Sequence, residues 1–128
     1  MCGRYTITID KSTIERRFNA KFASGSINFE PTYNAPPSQL LPIITTYAPA
    51  EITLAKWGFV PEEWRSSKIR LQNNARLETA AEKPMFRESF AGRHCMVLAD
   101  SFYEWNTIDG KKQPYRFVMK SGEPIDLR

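Results

Sequence analysis

A β-strand pattern that begins almost at the first residue is the strongest constraint on this chain. Residues 2–9, CGRYTITI, alternate polar and apolar side chains from Tyr5 onward, the period of a strand with one buried face. Breakers then keep the other elements short. Gly25, Pro31, Pro36 and Pro37 make residues 24–39 a loop. Strands are predicted at residues 40–47 and 52–60, with Pro42 pushing the first towards a sheet edge, because proline offers the ladder no N–H. Residues 61–72 are polar around one large aromatic, Trp64. Residues 94–99 and 102–105 read as strands, and Asp109-Gly110 turns the chain into another at 115–120.

Helices take second place. Ser12 to Glu15 match a capping box, and Ile14, Phe18 and Phe22 recur at steps of four, which predicts a short helix. Residues 75–91 hold good helix formers interrupted by Pro84, so two short helical turns are expected there. The sum is a strand-rich α+β domain with few helices. At 128 residues the chain is one domain or part of one, and it shows no repeat or linker.

Composition narrows the class. A hydrophobic fraction of 41% and an aromatic fraction of 12% exclude a disordered tail. No apolar stretch approaches the ~18 residues of a membrane span, and no basic-then-apolar leader opens the chain, so an intracellular protein is expected. A net charge of +4 attracts polyanions only mildly. Cys2 and Cys95 belong to no metal-spaced pair, and no metal or other cofactor is implied. Cys95, in an apolar run, reads as a core thiol.

Cys2 carries the chemistry. Methionine is normally trimmed ahead of a small second residue, and the product then bears an α-amine and a thiol on adjacent carbons. An aldehyde condenses with such an amine to an imine, and the neighbouring sulfur closes a five-membered thiazolidine. Closure is intramolecular and so has a high effective molarity. A terminal amine near ~7.8 is roughly a few hundred times richer in its neutral form at neutral pH than a lysine near ~10.4. The same terminus also suits nucleophilic attack on an amide. The plainer reading is a small residue packed at the start of a strand.

Three further segments stand with the N-terminal MCGRY: NARLET at 74–79, ADSFYEW at 99–105 and WGFVPEEW at 57–64. With YNAPPSQ at 33–39 and PYRFVMKSGEP at 114–124, they make a chain that resembles the SOS-response-associated peptidase (SRAP) family, which processes abasic sites in DNA. The resemblance implies a barrel-like domain of mixed and antiparallel sheets over 1–128, continuing in family members beyond this chain's last residue. It implies that Cys2 forms a thiazolidine with the ring-opened sugar of an abasic site in single-stranded DNA. It also links Cys2 to autopeptidase removal of the leading residue. By the same resemblance Asn74 is the site asparagine and Glu104 the catalytic glutamate, while Trp64 and Pro37 flank the lesion. The family's site histidine lies beyond residue 128 and does not match His94, which reads as a surface or packing residue.

Plainer roles stand beside these. Asn74 also suits the cap of the helical turn after it, and Glu104 a surface strand residue paired with Lys112. Glu104 lies between Tyr103 and Trp105, where partial desolvation would favour proton transfer. Between Lys56 and Arg93 the chain carries eight basic residues against five acidic ones, interleaved with Trp57, Phe59, Trp64 and Phe86. Cations with aromatics suit single-stranded nucleic acid. Trp57 and Phe59 read as core. Arg4, two residues from Cys2, and Arg76, two beyond Asn74, suit the flanking phosphates. Three functions stay open: an abasic-site crosslinker, an amide hydrolase with an N-terminal nucleophile, and a damaged-DNA binding module in which Cys2 is incidental.

Overall fold

A computed structural model describes residues 2–24, 28–65 and 70–127. Met1, Gly25 of the expected loop, residues 66–69 of the polar segment and Arg128 lie outside the described residues. Strand β1 (Arg4–Ile7) forms where the alternation predicts it. It lies inside an antiparallel sheet of order β3-β1-β7-β8, built with β3 (Thr32–Ala35), β7 (Ser101–Ile108) and β8 (Lys111–Val118). The second sheet has the order β2-β5-β4-β6-β9. Its strands are β2 (Lys21–Phe22), β4 (Leu40–Thr45), β5 (Ala48–Lys56), β6 (Cys95–Ala99) and β9 (Ile125–Leu127). Only β2 and β5 pair in parallel. The fold is α+β, as expected, but the two sheets stay open at their edge strands, so the barrel-like closure implied by the resemblance is not formed.

Apolar side chains of both sheets meet between them. Tyr5 and Ile7 from β1 pack with Leu41, Ile44, Ile52 and Leu98 of the second sheet, and all are buried. Helix α1 (Lys11–Phe18) adds Ile14 to this core. Its start differs from the capping box. Asp10 is the N-cap and accepts the Thr13 N–H at 3.0 Å. Glu15 instead accepts the Phe22 N–H at 3.0 Å and pairs with Lys21 at 2.9 Å, tying the helix to β2. Asn19 takes a left-handed conformation and ends the helix, which leaves Phe22 to the sheet.

Pro42 is fully buried in β4, an inner strand rather than an edge. Pairing of β4 with β6 runs over Ile43–Thr45, so the missing N–H falls just outside that ladder. The loop expected at 24–39 contains β3, because Thr32–Ala35 find β1 as a partner. β5 ends at Lys56, four residues short of the predicted limit. Pro84 opens α3 (Pro84–Gly92) rather than interrupting a helix, since a first-turn proline loses no helical hydrogen bond. The shorter α2 (Leu77–Ala80) precedes it. Asp109 and Gly110 both have positive φ, 47° and 75°, and close a two-residue hairpin between Ile108 and Lys111. That tight turn starts β8 earlier than predicted.

Cys95 departs from its expected place. It is exposed on β6, opposite Thr45 and away from the apolar run that follows it. Among the described residues no helix is long and apolar enough to cross a membrane.

Ile7 has no exposed surface, so Ile7→Ala leaves a cavity between the sheets. The expected loss is about 2–5 kcal/mol of unfolding free energy, read from urea or thermal melts.

Candidate active site

Cys2 stands just ahead of β1, half-buried against the core. Its Sγ–H donates to the Arg4 carbonyl at 3.5 Å. Burial pushes the thiol pKa up, a stabilising interaction of the thiolate with the Arg4 backbone opposes that, and the Glu104 carboxylate raises it further. The Glu104 charge thus acts on Cys2 and disfavours thiolate. Glu104 is half-buried on β7. Its strand neighbour is Tyr115, whereas Lys112 faces Thr107, so the register does not support a Glu104–Lys112 pair. Arg4 begins β1, half-buried and opposite Tyr103.

Trp57 fastens two more segments beside β1. Its N–H donates to the Gln39 carbonyl at 3.0 Å, and its carbonyl accepts the Ser38 N–H at 2.7 Å, which fastens the loop carrying Pro37. Its indole N–H donates to the Asn73 carbonyl at 2.9 Å, which fastens the segment carrying Asn74. Its ring centroid lies 5.4 Å from that of Tyr5. Next to it, Gly58 adopts φ 129°, and a Cβ there would come within 3.3 Å of the Leu71 Cβ. Only glycine lets the 71–73 segment approach so closely.

Asn74 is exposed, and its side chain has no hydrogen bond among the described residues. It does not cap α2, whose N-cap is Arg76 and has no side-chain cap bond. Arg76 is exposed and lines an open hollow of about 500 Å³ with Ala75, Glu78 and Thr79. Trp64 is half-buried in a single 3₁₀ turn, Glu62–Trp64. Pro37 is half-buried. Cys2 and Glu104 are thus in electrostatic contact. Pro37 and Asn74 are tied to β1 through Trp57, and Arg76 follows Asn74 at the edge.

His94 is exposed, with its Nε2 2.6 Å from the Phe90 carbonyl and its ring edge-on to Phe90. Of the basic residues in 56–93, Arg65 pairs with Glu62 at 2.9 Å and Arg93 with Glu88 at 2.5 Å. Each pair takes up one cation and one anion, so the excess of cations in that stretch is unchanged.

Two features of the site were not read from sequence. Trp57, half-buried as a core residue would be, also holds the site loops through its indole N–H, and a tryptophan directly before a glycine was the available signal. The other is the Tyr5 hydroxyl, buried without a hydrogen-bond partner. Burial holds that phenol well above its ordinary pKa, with the Cys2 and Cys95 thiols adding smaller upward contributions. It therefore stays a neutral donor at the base of the site.

The Glu104 effect on Cys2 has a measurable sign. In a Cys95→Ser background, Glu104→Gln removes a charge that disfavours thiolate. The pH midpoint of Cys2 alkylation by iodoacetamide is expected to fall; an unchanged midpoint would separate the two groups.

Known proteins share this sequence pattern and this fold. The pattern described as SOS response associated peptidase (SRAP) matches residues 1–127. The chain is 38% identical over 124 residues to the abasic site processing protein YoqW of Bacillus subtilis, covering 94% of this chain and 55% of that one. It is 30% identical over 140 residues to the abasic site processing protein HMCES of Xenopus tropicalis, covering 90% and 42%. The chain thus spans about half the length of these curated relatives. A crystal structure of a Bordetella bronchiseptica protein superposes with a TM-score of 0.79 at 27% identity, over 98% of this chain and 61% of that one. One from Bacteroides thetaiotaomicron reaches 0.83 at 23% identity, over 98% and 58%, and supports the fold. The chain belongs to the SOS response associated peptidase (SRAP) family.

Proposed function

We propose that this chain is an abasic-site processing domain that captures the lesion's aldehyde through Cys2 in single-stranded DNA. The observation that carries the reading is Cys2 half-buried just ahead of β1, with the Glu104 charge acting on its thiol. Relatives named as abasic site processing proteins, matched over nearly the whole of this chain, support it.

The reaction needs Met1 removed, which frees the Cys2 amine. The amine nitrogen attacks the aldehyde carbon of the ring-opened deoxyribose, and the hemiaminal loses one water to become an imine. Sγ then adds to the imine carbon while the thiol proton passes to nitrogen, closing a thiazolidine. One water leaves overall, and nothing is oxidised or reduced. In this reading Glu104 moves these protons.

Asn74 hydrogen-bonds the amine or the opened sugar in this reading. Arg4 and Arg76 meet phosphates on either side, and Pro37 and Trp64 occupy the gap in base stacking. Crosslinking of this kind shields the lesion.

An oligonucleotide with one abasic site tests the reading. Wild type lacking Met1 is expected to give a shifted band that survives heat in denaturant, and Cys2→Ala none. Equal bands from both would end the thiazolidine proposal. Cys2-dependent cleavage of an unrelated peptide would favour the hydrolase instead. Arg76→Ala is expected to weaken binding for all flanking sequences and to lower the salt slope of affinity by about 1.

A further inference from the structure

We infer that Asp100 is the positioning residue that holds Cys2 in its reacting place, an inference that rests on the Cys2 chemistry proposed above. Asp100 is the single residue between β6 of one sheet and β7 of the other. There it grips Thr6 of β1 and Thr8 just beyond the strand. Its N–H donates to the Thr6 carbonyl at 2.9 Å. Its carboxylate accepts the Thr6 hydroxyl through Oδ1, and through Oδ2 the Thr8 N–H at 2.5 Å and the Thr8 hydroxyl at 2.7 Å.

A second connection reaches β8. The hydroxyls of Thr6 and Ser101, both fully buried, lie 2.5 Å apart. Arg116 Nε donates to Ser101 Oγ at 2.8 Å, and its Nη2 lies 3.9 Å from Asp100 Oδ1. One polar cluster thereby joins β1, β7 and β8.

The cluster sits where the backbone leaves β1 least defined. Pairing of β1 with β3 is irregular between Tyr5 and Ile7, at Thr6 itself. A slip of one residue would turn every side chain of β1 to the other face. It would also carry Cys2 out of line with Glu104, since β1 and β7 are held in register from Arg4 against Tyr103. Two Asp100 acceptors on Thr6 and Thr8, neighbours on one face, admit a single register.

Asp100→Asn keeps the shape but sets an amide N–H₂ against the donors of β1. In folded Asp100→Asn protein, the rate of crosslinking to an abasic oligonucleotide is expected to fall about tenfold or more, because small misplacements of reacting atoms cost large factors. Affinity for the same oligonucleotide carrying a tetrahydrofuran, which cannot open to an aldehyde, is expected to stay as in wild type. In a Cys95→Ser background the pH midpoint of Cys2 alkylation falls, as the slackened site admits water and separates Cys2 from Glu104. Thr8→Val, which keeps the carboxylate and removes one of its donors, changes both readouts in the same direction by less, and it carries the test if Asp100→Asn does not fold.

A rate and an alkylation midpoint both equal to wild type in either folded variant would overturn the inference. So would a rate loss fully matched by the loss of folded protein. If wild type itself gives no crosslink, the proposed function fails, and the alkylation arm still judges the clamp.

Discussion

The corner at Asp100 is the constraint on which the arrangement depends. β6 belongs to one sheet and β7 to the other, with one residue to make the change. A turn so short leaves backbone groups that the ladders do not use, and Asp100 spends its own N–H and both carboxylate oxygens on β1. The N-terminal strand is therefore locked to the junction of the two sheets. Ends of chains fray unless they are tied down in this way. Here Cys2 lies two residues outside the tied strand.

A second organiser works through an aromatic ring and its polar edge. Trp57 packs on Tyr5 and binds two chain segments, the Ser38–Gln39 loop through its backbone N–H and carbonyl and the Asn73 segment through its indole nitrogen. The loops of Pro37 and Asn74 have little regular structure, so such fixed points give them a place. Half-burial around Cys2 then has two effects at once. It brings the Glu104 charge to bear through a medium less screening than water, and it withholds the thiolate.

Local patterns were legible where a pattern depends on near neighbours. Alternation at Tyr5–Ile7 produced β1, and Asp109-Gly110 produced its hairpin. Pro84 was recognised as a breaker but acts as a helix start, because its role depends on where the chain stands when it arrives. Pro42 misled more directly. A proline in a strand is tolerated inside a sheet if the neighbouring ladder stops short of it, and nothing local reveals where a ladder stops. The strand at Thr32–Ala35 was hidden among prolines for the same reason, since its partner lies in β1. Cys95 looked buried because its run is apolar, yet it opens the strand on the exposed side.

The sequence by itself determined the family. The N-terminal MCGRY with the NARLET and ADSFYEW segments marks it before any contact is known, because those residue types in that order are written along the chain. Tertiary structure decided which of them meet. It brought the Glu104 charge to bear on Cys2 and kept Glu104 out of register with Lys112, freed Asn74 from a capping role, and left the sheets open where closure was expected. Those outcomes depend on register and on the crossing of strands far apart in the chain, and no short window of residues contains that information.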